Sequence, residues 1–183
     1  MDFRDRWISA LHSTATGTRR MRTLLTPIGL AIFGIFIGLF VFLAVFVDQW
    51  FSLSWPLSND LTWLFAAPLI TIGFGVTVWS ATHFLKVKGT PVPFNPPPSL
   101  VMTGPYKFIR NPMLTGVFLL LFGIGFAIKS LSLVIFFTPL FIFANIWEIK
   151  EIEEPELVKR LREDYVAYQQ RTPMFIPKMR PKK

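Results

Sequence analysis

The stretch LLTPIGLAIFGIFIGLFVFLAVFV, residues 24–47, carries no charged side chain. As an α-helix it is long enough to cross the hydrocarbon layer of a bilayer, which is about 30 Å thick. A second long apolar run covers residues 61–85, and two shorter runs cover residues 113–128 and 131–147. Lys129-Ser130 separates the two shorter runs and predicts a tight turn. We therefore predict an all-α integral membrane fold with about four transmembrane helices.

The composition agrees with this fold class. Of the 183 residues, 52% are hydrophobic and 16% are charged, whereas a typical soluble domain carries about 25% charged residues. Cysteine is absent, which excludes disulfides and thiolate metal sites. The two histidines, His12 and His83, are far apart in the sequence, and no HExxH motif is present, so we expect no metal site.

The net charge of +8 indicates contact with a membrane surface rather than with a nucleic acid, because the basic residues flank apolar runs. If the N-terminus is cytoplasmic, every Lys and Arg except Lys129 lies on the cytoplasmic side. The outer connector then contains Asp48 and Asp60 and no basic residue. This charge asymmetry predicts a multi-pass protein with both termini in the cytoplasm.

Five segments follow from these runs. They are a cytoplasmic N-terminal segment (1–23), two transmembrane helices (24–85), a proline-rich cytoplasmic loop (86–112), a transmembrane hairpin (113–147) and a charged cytoplasmic tail (148–183). The N-terminal segment has apolar residues at helical spacing, which predicts a short interfacial helix. In the tail, Pro155 suits the first turn of a helix, so we expect the fourth span to end near Glu153 and a surface helix to run from about Pro155 to Gln170.

Two segments are dense in Gly, Pro, Tyr and charge where apolar spans end. The first motif is LVMTGPYKFIRNP, residues 100–112. The second motif begins EEPEL at residues 153–157 and continues with Tyr165, Tyr168 and the stretch TPMFIP, residues 172–177. A helical hairpin separates them, and no Gly-rich phosphate loop or alternating strand and helix pattern accompanies them. Any cofactor site must therefore be built from helix ends and loops.

The two motifs resemble the isoprenylcysteine carboxyl methyltransferase and phospholipid methyltransferase superfamily, whose hallmark reads roughly L-V-x-x-G-x-Y-x-x-x-R-H-P-x-Y-x-G, then two spans, then E-E-x-x-L-x-x-x-F-G-x-x-Y-x-x-Y. The positions that match are Leu100, Val101, Gly104, Tyr106, Arg110, Pro112, Gly116, Glu153, Glu154, Leu157, Tyr165, Tyr168 and, near the end of the chain, Pro177. The stretch GTPVPFNPP, residues 89–97, is similar to bacterial members, which favours a prokaryotic inner membrane.

The resemblance implies S-adenosylmethionine as cofactor, bound in a pocket at the cytoplasmic edge of the membrane that the first motif and the charged tail (148–183) close. The cofactor-binding residues it implies are Pro98, Ser99, Leu100, Val101, Gly104, Tyr106, Asn111, Pro112, Glu153 and Glu154, with Arg110 and Glu153 as catalytic residues. Simpler roles remain open for several of them. Arg110 is equally well explained as a cytoplasmic anchor, and Glu154 as an acidic residue that complements a helix N-terminus. Tyr165 and Tyr168 are expected to pack the surface helix against the core.

The chain departs from the hallmark at several positions. Asn111 replaces the His, Leu114 replaces the Tyr, and Leu161-Arg162 replaces Phe-Gly. Asn111 can form hydrogen bonds but cannot act as an acid or base near neutral pH. Ile149 stands one helical turn before the Glu pair, where the prenylcysteine enzymes use an Arg, which weakens the assignment of a prenylcysteine carboxylate as acceptor.

The sequence therefore predicts an S-adenosylmethionine-dependent membrane methyltransferase acting on a lipid-like or otherwise membrane-soluble acceptor, without nucleic acid or metal. A sulfonium already activates the methyl group, so the protein mainly has to align two molecules in a dry pocket. Two alternatives stay open. One is a catalytically degenerate scaffold of the same fold, and the other is a membrane reductase, although such proteins usually have more spans.

Overall fold

The structure, a computed structural model, describes residues 3–15, 19–86 and 99–177, and every regular element in that part of the chain is helical. The α-helices are α1 (Phe3–Ala15), α2 (Arg19–Trp50), α3 (Asn59–Lys86), α4 (Pro112–Ala127), α5 (Thr138–Glu148), α6 (Glu154–Leu161) and α7 (Glu163–Arg171). A short 3-10 helix spans Gly104–Lys107, and π-helical turns span Leu133–Phe137 and Ile149–Glu153. The predicted all-α fold class is confirmed for these residues.

Within residues 3–15, 19–86 and 99–177, three helical stretches are long and apolar enough to cross a membrane. They are Leu25–Trp50, Asn59–Lys86 and Leu133–Leu161, with 26, 28 and 29 residues. Helix α4 is as apolar but has 16 residues, a length of about 24 Å at 1.5 Å per residue. The predicted third span is therefore a shorter helix than the other three.

The chain forms two compact units. Unit 1 comprises Met1–Ala31, Trp79–Pro112 and Ile146–Lys183, and unit 2 comprises Ile32–Val78 and Met113–Asn145. Each unit draws on distant parts of the sequence. Both predicted motifs lie in unit 1, and the further matching position Gly116 lies in unit 2.

Unit 2 is held by close helix contacts and aromatic packing. The backbones of α3 and α4 approach so closely that a Cβ built on Gly73 would lie 2.7 Å from the carbonyl oxygen of Gly116. Phe141 is fully buried, and its ring packs edge-on against Phe40 and Phe118. Small residues permit such an approach between helices in a membrane, where apolar burial offers little driving force.

The predicted tight turn between α4 and the following helix is confirmed. Lys129 adopts a left-handed conformation with φ of 56°, and its ammonium group donates a hydrogen bond to Asn59 at 2.6 Å. The carboxylate of Asp48 accepts hydrogen bonds from the Ser130 hydroxyl and the Ser132 backbone amide. Asp48 thus supplies partners for donors at the start of the last long helix.

The predicted break between the fourth span and a surface helix lies elsewhere than expected. The helix does not end near Glu153 but continues to Leu161, and α7 then begins at Glu163. A π turn with the bond from the Glu154 amide to the Ile149 carbonyl precedes Pro155. This wider turn accommodates a ring that would otherwise clash with the preceding helical turn. The chain reverses at Arg162 instead, which has φ of 51° and ψ of −128°.

The predicted N-terminal helix is present as α1. It packs against α6 and against the π turn Ile149–Glu153, all within unit 1. Its Trp7 remains about half exposed.

Candidate functional site

An ion pair joins the two motifs within unit 1. Arg110, in the first motif, donates from Nη2 to Oε1 of Glu154, in the second motif, at 2.5 Å. Each side chain is 10% exposed. Because a buried charge without a partner is costly, this pair requires the two motifs to stay together.

The guanidinium of Arg110 also holds the C-terminal segment, defined here as residues 172–177. Its Nη1 donates to the backbone carbonyl of Gln169 at 2.9 Å and to that of Thr172 at 2.8 Å. The backbone amides of Arg110 and Asn111 donate to the carbonyls of Pro173 and Met174. Arg110 therefore has both terminal nitrogens engaged by the protein itself, and Nε is buried without a hydrogen-bond partner among the described residues.

Helix α7 completes the shell around Glu154. Gln169 donates from Nε2 to Oε2 of Glu154 at 2.7 Å, and the Tyr165 hydroxyl lies 3.5 Å from Oε1. Tyr168 donates its hydroxyl to the backbone carbonyl of Tyr106 at 2.7 Å. Tyr165 and Tyr168 are buried, as expected for residues that pack this helix against the core.

Tyr106 presents a buried phenol in this shell. Its ring packs edge-on against Phe84 of α3, and the side chain is 5% exposed. Burial, with the nearby Tyr168 and Glu153 as lesser causes, raises the pKa of the Tyr106 phenol far above its usual value. Its hydroxyl has no hydrogen-bond partner in the described part of the chain; Ser80 lies close enough to favour ionisation slightly, but without hydrogen-bond geometry. The phenol is therefore a neutral donor whose proton is not used by the described protein.

The acidic residues around α6 are unevenly balanced. Arg110 neutralises Glu154, and Arg160 neutralises Glu156 through a bond of 3.0 Å from Nε to Oε1. Glu153, half-buried at the end of the π turn, has no ion pair or hydrogen bond among the described residues. The side-chain oxygens of Glu153 are therefore available to a ligand group that forms hydrogen bonds.

The remaining predicted site residues occupy the first motif or the approach to it. Val101 and Pro112 are buried, Leu100 and Asn111 are half-buried, and Ser99 is exposed. Gly104 has φ of 59°, a conformation that a glycine adopts without strain. Pro98 lies outside the described residues. The structure thus brings the described first-motif residues, Glu153 and Glu154 into one unit.

Sequence reasoning missed two contributors to this site, Gln169, which holds Glu154, and Ser80 of α3. Thr172 lies in the second motif as predicted, and its carbonyl accepts a bond from Arg110. A signal existed for Gln169, since it follows Tyr165 by four residues and so shares its helix face. Nothing in the sequence pairs Ser80 or the Thr172 carbonyl with the first motif.

Comparison with known proteins identifies the family of the chain. The phospholipid methyltransferase family matches residues 61–164, a range that contains both Arg110 and Glu154. The chain belongs to the phospholipid methyltransferase family. Because the described part of the chain contains three helices able to cross a membrane, the protein is an integral membrane member of that methyltransferase family. The resemblance found in the two motifs is thereby confirmed at the level of the superfamily.

One curated relative gives a second point of comparison for this family member. The nickel-cobalt-cadmium resistance protein NccN of Alcaligenes xylosoxydans xylosoxydans is 31% identical over 127 residues, which cover 66% of this chain and 54% of the relative. The chain therefore spans about half the length of that relative. No solved structure matches the chain. In the described residues, no group of three or more His, Cys, Asp or Glu is placed to hold a metal ion.

Proposed function

We propose that this protein transfers a methyl group from S-adenosylmethionine to a lipid-like or otherwise membrane-soluble acceptor at the cytoplasmic face of a prokaryotic inner membrane. The observation that carries the proposal is the Arg110–Glu154 ion pair, which links the two motifs inside the region matched by the family. Family membership supports methyl transfer. The proposal goes beyond family membership in three respects: the cofactor, the acceptor and the orientation with both termini in the cytoplasm.

The residues of unit 1 fit the cofactor chemically. S-adenosylmethionine carries an ammonium group, a carboxylate, a sulfonium and ribose hydroxyls, and when bound it supplies an activated methyl group. Glu153 offers a carboxyl group with no ion pair or hydrogen bond among the described residues. Tyr106 offers a neutral hydroxyl donor that has no partner in that part of the chain either. We assign Glu153 to a cationic or hydroxyl group of the cofactor and Tyr106 to an acceptor atom.

The other predicted residues shape the site. We assign Gly104, Leu100, Val101, Ser99 and Pro98 to the backbone that approaches the cofactor, with Asn111 and Pro112 at the start of α4. Arg110 and Glu154 act by holding the first motif, α7 and the C-terminal segment together, since the terminal nitrogens of Arg110 are already engaged. Nε and the second N–H of Nη2 remain to contact a ligand directly.

The chemistry asks the protein mainly for alignment and exclusion of water. Positive charge on sulfur disappears as the methyl group leaves, so a site with low water content favours reaction. A cofactor held from the cytoplasm and an acceptor held from the bilayer need one site open to both phases. The ends of spanning helices, where both motifs lie, provide such a position.

A titration of the detergent-purified protein with S-adenosylmethionine tests the proposal. We expect saturable binding, which Glu153→Gln and Tyr106→Phe each weaken about tenfold or more, the loss of one charge-assisted or buried hydrogen bond. Glu163→Gln changes an exposed glutamate of α7 and serves as the matched control. Labelled-methyl transfer into membrane lipid extracts then identifies the acceptor.

The alternative hypothesis of a catalytically degenerate scaffold predicts no binding of S-adenosylmethionine. Its basis is the set of departures from the hallmark at Asn111, Leu114 and Arg162. A folded protein that binds no S-adenosylmethionine and keeps its cellular role with Glu153→Gln would support the scaffold and reject methyl transfer. The name of the relative NccN points to metal-resistant growth as one setting in which to measure that cellular role.

A further inference from the structure

Three apolar side chains of unit 1 are exposed in loops outside the long helices. Met102 and Phe108 stand on either side of the 3-10 helix of the first motif, and Ile176 lies in the C-terminal segment. Their exposed fractions are 44%, 59% and 81%. We call these three the exposed loop residues. The first motif already buries Val101 and Ile109, so the exposed loop residues are apolar surface beyond its own inner packing.

Backbone hydrogen bonds join the two loops that carry these residues. The amide of Arg110 donates to the carbonyl of Pro173 at 2.8 Å, and the next amide along the chain donates to the next carbonyl at 3.1 Å. Phe108 precedes Arg110 by two residues, and Ile176 follows Pro173 by three. The exposed loop residues therefore belong to two loops that are bound to each other, rather than to scattered surface positions.

The first motif is fixed against the end of a spanning helix. A Cβ built on Gly104 would collide with the ring of His83, and the ring of Tyr106 packs edge-on against that of Phe84. Both partners lie in the last turn of α3, whose 28 residues give a length of about 42 Å. The hydrocarbon layer is about 30 Å thick, so such a helix extends beyond it. This length carries the last turn, and the first motif packed on it, to the depth of the lipid headgroups.

The charge near these loops fits an anionic lipid surface. Lys107 is exposed beside Phe108, and Lys86 is exposed at the end of α3. No Asp or Glu occurs in the sequence between Asp60 and Glu148. Basic side chains are attracted to anionic headgroups, and aromatic side chains are enriched at the same depth of the membrane. The combination of exposed apolar and basic side chains is therefore suited to the membrane interface.

We propose that these two loops dock on the bilayer, with Met102, Phe108 and Ile176 inserted beneath the headgroups and Lys107 bound to an anionic headgroup. The bilayer is the neighbour already present at this depth, whereas a protein partner would first have to displace lipid. Docking holds Tyr106, which lies in the same first motif, at the edge of the membrane. This inference goes beyond the proposed function, because docking requires no methyl transfer.

Spin labelling of the full-length protein tests the docking. Because the chain has no Cys, each substituted cysteine is the single thiol of its variant. Met102→Cys, Phe108→Cys and Ile176→Cys each carry a nitroxide label in vesicles of phosphatidylcholine and phosphatidylglycerol. Gln170→Cys, at an exposed position of α7 in the same unit, is the matched control.

The labels report which phase surrounds them. We expect the three loop labels to collide more often with molecular oxygen, which dissolves in the bilayer, than with a water-soluble nickel chelate. The control label should show the reverse preference. Loop labels with the nickel preference of the control overturn the proposal. Labels shielded from both reagents, with dipolar broadening between copies, would show that a second copy covers these loops and would overturn it as well.

A second measurement tests the contact of Lys107 with anionic lipid. In the Phe108→Cys protein, Lys107→Gln should raise the ratio of water-exposed to inserted label about fivefold, the contribution of one lysine at an anionic surface. Vesicles of phosphatidylcholine alone should give the same rise. Lys159→Gln, at an exposed position of α6, is the control and should leave the ratio unchanged. A ratio that responds to neither change rejects this contact. Neither measurement uses S-adenosylmethionine, so a failure of the proposed function is distinguishable from a failure of docking.

Discussion

Arg110 and Glu154 are 44 positions apart in the sequence and meet in an ion pair of 2.5 Å, each with 10% of its side chain exposed. One guanidinium thereby binds the second motif and two carbonyls near the C-terminal segment. We call this arrangement a clamp, because one side chain holds three parts of unit 1 together. Its contribution to stability can be measured separately from any catalysis.

Removal of the Arg110 side chain should destabilise the protein strongly. Arg110→Ala leaves Glu154 buried without its cation and two carbonyls without a donor, and we expect a loss of about 3–5 kcal/mol. Thermal unfolding in detergent should show this loss of stability as a lower midpoint temperature of unfolding. Lys107→Ala, an exposed position in the neighbouring 3-10 helix, should stay within about 0.5 kcal/mol of wild type. An equal effect of both variants would contradict the clamp.

Arg162 occupies a backbone conformation that favours glycine, and the superfamily hallmark has Gly at this position. With φ of 51° and ψ of −128°, the residue stores strain of about 1–3 kcal/mol. Arg162→Gly should therefore raise the unfolding midpoint, since the relief exceeds the cost of about 0.5–1 kcal/mol for a freer unfolded chain. Arg162→Ala keeps a Cβ and should give no gain. Equal midpoints for the Gly and Ala variants would refute this explanation.

The close contact between α3 and α4 makes two glycines respond differently to the same change. In Gly116→Ala the new Cβ would lie 2.3 Å from the Thr77 hydroxyl oxygen and 2.7 Å from the Gly73 carbonyl oxygen. We expect a loss of about 1–3 kcal/mol, typical of overpacking. Gly75 has nothing within 4 Å, so Gly75→Ala should be neutral or stabilising by up to about 1 kcal/mol. Heat-induced aggregation assays in detergent compare the stability of the two variants. A similar loss of stability in both would contradict the close contact between α3 and α4 at Gly116.

All three tyrosines of the chain, Tyr106, Tyr165 and Tyr168, are buried. Burial is the main cause that raises the pKa of each phenol above its ordinary value of about 10. Above that pH the unfolded chain releases phenolic protons that the folded chain retains, so stability should fall as pH rises. Ultraviolet absorption should detect tyrosinate only where circular dichroism detects unfolding. Gradual ionisation in a folded protein would contradict the burial.

The site could be predicted in part from the sequence. The two motifs were recognisable because the spacing of Gly104, Tyr106 and Arg110 and of the Glu153-Glu154 pair is a local pattern. The partner of Arg110 could not be recognised from the sequence, because a guanidinium can donate its hydrogen bonds to a ligand, a lipid headgroup or the protein. Here three oxygens of unit 1 occupy its terminal nitrogens.

The sequence alone determined the fold class and the approximate positions of the spans. Apolar runs of the necessary length must be helical in a bilayer, because a lipid-exposed backbone has to satisfy its own hydrogen bonds. The tertiary structure decided where the last long helix ends and which residues hold Glu154. These features depend on contacts between residues distant in the sequence or on local strain that such contacts maintain. No local pattern of residues specifies them, because the same side chain has several partners available until the helices are packed.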